Sequence, residues 1–127
     1  HELLGWLKER AIATAIVTNK PDRFAEQIVA ALDLVVDVVI GATDQRPLKP
    51  NPASLCEAVA ILGAKSPLMI GDTSFDLDAA RAAGIPFAGV QLEGDLGRNI
   101  SELLEPHEPV FESLADLHRW LAEEVIT

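Results

Sequence analysis

Apolar and polar positions along the chain switch repeatedly between helical and extended spacing, and most switches fall at turn-forming residues. Leu3, Leu4 and Leu7, with Trp6 at the margin, share one face of a predicted helix over residues 2–10. The run Ile12-Ala13-Thr14-Ala15-Ile16-Val17, bounded by Thr18-Asn19-Lys20, predicts a buried strand. Pro21 suits the first turn of the next helix, where its missing N–H costs nothing, and Phe24, Ile28 and Leu32 continue that helix at spacing four. Val35 to Ile40 predicts a second strand ending at Gly41, followed by a turn-rich loop from Ala42 to Asn51. Pro52 opens a helix with Leu55, Val59 and Leu62 inward and Gly63 as its stop signal. Leu68-Met69-Ile70 predicts a third strand cut off by Gly71-Asp72, and the helix after it runs to about Gly84. Pro86 to Leu92 predicts a fourth strand. Weaker signals place a helix near 97–104, a short strand at Val110-Phe111 and a closing helix from Ser113 to Val125, with Trp120 as core or edge packing.

Strands alternating with helices imply βαβ units, right-handed crossovers and a parallel sheet covered on both faces. The expectation is an α/β fold in a single domain over residues 1–127, a length that leaves little room for a second one. Composition agrees: 49% of residues are hydrophobic but only 5% aromatic, so the apolar mass is Ala, Leu, Val and Ile. There is no internal repeat.

A net charge of −10 argues against a nucleic-acid partner and against an anionic membrane surface, both of which demand clustered Lys and Arg. Most of the acid is expected on solvated helix faces. A small phosphate ester could still bind where one lysine and a metal ion supply local positive charge. No run reaches about 18 apolar residues, so no span is expected. The single cysteine, Cys56, excludes an internal disulfide framework and fits a reducing compartment; its helix predicts a small buried core residue. A cytoplasmic location is expected. His1-Glu2-Leu3-Leu4 opens directly into an amphipathic pattern without an initiator Met or signal peptide, as a chain beginning mid-protein would.

In sheets of this kind chemistry collects beyond the carboxyl ends of the strands, so the residues after the first three strands are the candidates. After the first come Thr18 and Asn19, whose hydroxyl and backbone N–H groups suit phosphate oxygens before a helix; the same pair also serves as an ordinary cap. After the second comes Leu48-Lys49-Pro50-Asn51-Pro52, where prolines fix the chain and Pro50 holds Lys49 extended. A lysine there offsets negative charge on a phosphoryl group. After the third comes Gly71-Asp72-Thr73-Ser74-Phe75-Asp76. Asp72 sits at the strand end and Asp76 in the first helical turn, so both carboxylates can aim at one point. Hard oxygen ligands without His or Cys suit Mg²⁺. The competing role for Asp76 is capping and compensation of the helix dipole.

Three blocks carry a resemblance: Ile16 to Pro21, Leu48 to Pro52, and Gly71 to Gly84 resemble motifs II, III and IV of the haloacid-dehalogenase-like hydrolases, nearest to the phosphoglycolate-phosphatase-like members. The resemblance runs from about Glu2 to Leu92 and, more loosely, through Leu114 to Leu117. It implies a Rossmann-like three-layer sandwich and two-step phosphoryl transfer from a small phosphorylated metabolite through an aspartyl-phosphate. Thr18 and the Asn19 backbone would hold the phosphoryl group and Lys49 would neutralise it. Asp72 would ligate Mg²⁺ directly, and Asp76 would do so through water or would orient Lys49.

One part of the family pattern is missing. Family members begin with a central strand carrying Asp-x-Asp-x-Thr, whose first Asp is the nucleophile. Asp76-Leu77-Asp78-Ala79-Ala80 fails as a substitute, because it lies inside a helical pattern and lacks the Thr. The expectation is therefore a core incomplete at its N-terminus, inactive alone. A preceding segment or a second chain would supply the nucleophile strand between the strands ending at Thr18 and Asp72. A noncatalytic phosphate-binding or dimerising fragment, a phosphomutase and a dehalogenase are the alternatives, the last disfavoured by the acidic pair. A receiver domain, with its acidic pair after the first strand, is a poorer match. His107 and His118 receive no role.

Overall fold

The computed structural model describes residues 2–43, 48–91 and 102–125. Helix α1 (Glu2–Glu9) and strand β1 (Ala15–Pro21) are joined through Ala11, whose positive φ of 58° turns the chain out of the helix. Helix α2 (Asp22–Ala31) and strand β2 (Val38–Ala42) follow, then α3 (Ala53–Leu62), β3 (Met69–Gly71) and α4 (Ser74–Ala83). Strands β4 (Phe87–Val90) and β5 (Val110–Phe111) precede α5 (Leu114–Trp120), which runs into a π-helical turn over Leu121–Val125. The helix expected near 97–104 falls mostly outside the described residues.

The α/β expectation holds, and every observed strand pairing is parallel. Pairing divides the strands into two sheets, β1-β2 and β3-β4-β5, and among the described residues no ladder joins β1 to β3. The divide falls between the strands where the resemblance puts one more.

Several boundaries differ from expectation for local reasons. β1 starts three residues later than the apolar run, because Ile12 N–H returns to Leu7 O and Thr14 N–H to the Asp37 carboxylate. Its ladder begins at Ala15 opposite Val38, so Val35 and Val36 lie before β2. β1 also continues through Thr18 and Asn19 to Pro21, with a register shift between Val17 and Pro21. Pro21 is consequently the residue before α2, extended at ψ 142°, and not part of its first turn. Gly41 permits β2 to come close here: a Cβ would fall 2.5 Å from Asp22 Cα, and its N–H reaches Asp22 Oδ1 at 2.9 Å.

Both faces of the β3-β4-β5 sheet are covered, as expected. On one face Leu55 of α3 and Leu77, Ala79 and Ala80 of α4 cluster with Phe87, and Val17 and Met69 pack against them. On the other, Leu117 and Leu121 bury against Ala88 and Val90, joined by Leu3 and Trp6 of α1 and by Ile70. Alternation along β3 and β4 sends successive side chains to opposite faces, which is why all four residues of β4 are buried. α3 reaches across the divide, packing on β1 and β2 on one side and on α4 on the other. Leu55 is its inward residue, with Val59 and Leu62 half-buried.

Two expectations fail in the helices. Cys56 is exposed rather than buried, because the inward face of α3 is set by Ser54, Leu55 and Ala58. The spacing-four row Phe24, Ile28 and Leu32 of α2 is also exposed, and the helix buries Ala25 instead. The stop signals behave as expected: Gly63 and Gly84 close α3 and α4 in the left-handed region, at φ 62° and 72°. Trp120 packs at 5.2 Å from Phe111 between ring centroids, an edge role as expected.

Candidate functional site

Hydrogen bonds bring Asn19, Lys49, Asp76 and the Asp72 N–H into one arrangement, with Thr18 beside it in the chain and bonded locally to Lys20 N–H. Lys49 is its centre. Its ammonium donates to the backbone oxygen of Val17 at 2.9 Å and pairs with Asp76 Oδ1 at 2.5 Å. Both side chains are about nine-tenths buried, at 10% and 9% exposure. A lysine from beyond β2 thus joins Val17 of β1, next to Thr18, to the first turn of α4. Around that lysine Asn51 N–H closes a tight turn onto Leu48 O, with a cis Lys49–Pro50 peptide at its centre.

Asn19 does more than a cap. Its carboxamide oxygen accepts from Lys49 N–H at 2.9 Å, and its Nδ2 donates to Lys49 O at 3.2 Å. Thr18 Oγ1 accepts from Lys20 N–H at 3.2 Å within the register shift, which leaves the hydroxyl proton to donate outward.

Asp76 has both carboxylate oxygens committed. Thr73 and Asp76 form a reciprocal capping box at the start of α4, with Asp76 N–H on Thr73 Oγ1 at 3.2 Å. Asp76 Oδ2 accepts from the N–H groups of Thr73 and Asp72, at 3.3 and 3.2 Å. The remaining oxygen meets Lys49. Of the two roles left open for Asp76, orienting Lys49 is therefore the one its contacts match. Gly71 makes room for this: a Cβ there would lie 2.5–2.7 Å from Asp76 Cβ, Cγ and Oδ2.

Asp72 stands half-buried at the end of β3, beside that commitment. Among the described residues no group of three or more His, Cys, Asp or Glu is placed to hold a metal ion. Carboxylate oxygens without His or Cys suit Mg²⁺, which keeps several waters and uses one or two carboxylates with a substrate phosphate.

A second polar cluster anchors the far end of α4. Arg81 pairs with Glu108 through two hydrogen bonds, at 2.5 and 3.2 Å, and also donates to Leu103 O at 3.1 Å. Glu108 is buried and additionally accepts from Glu105 N–H. The Arg81 guanidinium holds the Glu108 carboxyl below its ordinary range, against the opposing pull of burial.

The sequence singled out Thr18, Lys49, Asp72 and Asp76, and the fold gathers their strand ends. Missed were the Asn19 side chain, the Val17 carbonyl and the Thr73 cap. Thr73 was legible in principle, since an S/T-x-x-acid spacing at a helix start is a capping signal. Nothing in the sequence tied Asn19 to a peptide thirty residues away.

Comparison with known proteins agrees with this fold. The family model described as Haloacid dehalogenase-like hydrolase matches residues 1–90. The chain belongs to the haloacid dehalogenase-like hydrolase family. Within it, the chain is similar to the phosphoglycolate phosphatase of Escherichia coli strain K12, at 33% identity over 122 residues. That match covers 91% of this chain and 47% of the relative, so the chain spans about half the length of the curated relatives it matches. Among solved structures it is similar to a predicted phosphatase from Clostridium acetobutylicum, with TM-score 0.79, 26% identity, and 96% and 57% of the two chains covered. A Had-superfamily hydrolase from Ehrlichia chaffeensis shares the fold, with TM-score 0.78 at 24% identity over 99% of this chain and 57% of the other.

Proposed function

We propose that this chain is the phosphate- and metal-binding part of a magnesium-dependent phosphatase that hydrolyses a small phosphorylated metabolite through an aspartyl-phosphate. One observation carries the reading: a nearly buried lysine is held between Val17 of β1, beside Thr18, and the first turn of α4, beside Asp72. Surface lysines are rarely fixed at both sides in this way, and a fixed ammonium at strand ends is a preorganised charge for a phosphoryl group.

In this reading the Thr18 hydroxyl and the Asn19 N–H hold two phosphoryl oxygens, and Lys49 offsets the charge that gathers as the ester bond breaks. Asp76 keeps Lys49 aimed. Bound through Asp72, Mg²⁺ would supply further charge neutralisation. The attacking carboxylate comes from a strand entering between β1 and β3, from a preceding segment or a second chain. Neither edge of that divide has a strand partner there among the described residues. A cytoplasmic location accompanies the reading; among the described residues no helix is long and apolar enough to cross a membrane.

The test has two arms. The isolated 127 residues, with Mg²⁺ and p-nitrophenyl phosphate, are expected to show no turnover, and turnover there would overturn the assignment of the nucleophile. In a form containing an Asp-x-Asp strand, Mg²⁺-dependent turnover is expected and Asp72→Asn should abolish it with the fold intact. Unchanged activity in Asp72→Asn would remove Asp72 from the site. Phosphate binding without turnover in that longer form would favour the noncatalytic reading.

A further inference from the structure

We propose that Asn19 is a positioning residue whose side chain sets the place of Lys49. The reading deepens the proposed function and rests on it for the purpose of Lys49, but the geometry stands apart. Asn19 presents one acceptor and one donor to the N–H and C=O of a single residue, Lys49, in the manner of a strand partner. An amide is the side-chain group that does this from one planar end, and Asn supplies it with a single methylene between amide and backbone.

The consequence follows along the side chain. Lys49 lies outside helix and strand, and long lysine stems carry large rotamer freedom. Its ammonium nonetheless meets two fixed acceptors, Val17 O and Asp76 Oδ1. Pinning the Lys49 backbone from Asn19, two residues beyond Val17 on the same strand, fixes the origin of that stem relative to one of its two acceptors. Asn19 is itself exposed, so its contribution lies in this pairing and not in filling the core.

The 127-residue chain suffices for the test, because the readout is the reactivity of an amine and not turnover. Competitive acetylation, followed peptide by peptide in a mass spectrometer, compares Lys49 with Lys8, Lys20 and Lys65, all three exposed. Lys49 should react slowest. Asn19→Ala should raise the Lys49 rate alone by about five- to thirty-fold, the factor set by losing two ordinary hydrogen bonds. Asn19→Asp keeps the acceptor for Lys49 N–H and loses the donor, so it should fall between the two. Equal Lys49 rates in all three proteins would overturn the proposal, as would a rise shared by all four lysines, which marks general loosening. Should Asn19→Ala fail to fold, Asn19→Asp decides by the same comparison. Failure of the phosphatase reading would show separately, as absent turnover in the longer form with Lys49 labelling still governed by Asn19.

Discussion

At the scale of single residues, the site works by assigning each polar atom a partner. Asp76 has its oxygens divided between two backbone N–H groups and one ammonium, an arrangement that depends on the missing side chain of Gly71. Gly71→Ala would drive a methyl into that carboxylate. We expect it to destabilise the chain by about 1–3 kcal/mol, the usual range for overpacking, and to raise Lys49 reactivity because Asp76 must move. Urea melts together with Lys49 labelling check both effects; wild-type values in both would show that Asp76 has room to give. The residue types at this site were legible in the sequence because Thr18 and Asp72 each follow an apolar run, Lys49 is flanked by prolines after the second run, and Asp76 opens the helix after the third. The partners were not. Whether Asp76 holds a metal or a lysine depends on the path of residues 42–51, which a one-dimensional pattern does not contain.

At the scale of elements, α4 connects the site to the rest of the fold. It starts at the Thr73 cap and ends where Arg81 grips Glu108. Because Arg81 lowers the Glu108 pKa, the folded state favours the ionised carboxylate. That contribution is fully present above the ordinary value of 4.5 and is lost as pH falls through the depressed folded value. Glu108→Gln should therefore cost stability at pH 7, about 1–2 kcal/mol after allowing for the solvent that screens the exposed part of Arg81, and should flatten the acid limb below 4.5. Denaturant melts at pH 7 and pH 3 measure both; equal losses at the two pH values would exclude the ion pair as the cause. Element order and type were legible from spacing and from Gly and Pro. The start of β1 was not, because a long-range bond from Thr14 to Asp37 overrode a continuous β-branched run. The exposed row on α2 was misleading for the same kind of reason: spacing four marks an apolar face but does not say what covers it.

At the scale of the whole molecule, two parallel sheets stand side by side, with α3 reaching across on one face and Lys49 bonding to both halves at the strand ends. Parallel strands present peptide groups to both sides, so β1 and β3 each carry N–H groups on the edge without a ladder. Hydrogen exchange should separate the two sets. Amides of β4, which has a strand on either side, should be the slowest, and the divide-facing amides of β1 and β3 should exchange markedly faster. Adding a peptide or chain that inserts a strand should slow the second set, and equal protection of all sets beforehand would show the divide to be closed in solution.

The attachment of Lys49 also has a logical form. Its ammonium is fixed only when Val17 of β1 and the first turn of α4 are both in place, so it acts as a conjunction: either half alone leaves the charge loose. The molecule therefore holds an aimed, nearly buried cation only when both halves are in place. A nascent or partly opened chain is spared a half-made anion trap, and the labelling rate of this one amine becomes a running count of finished molecules.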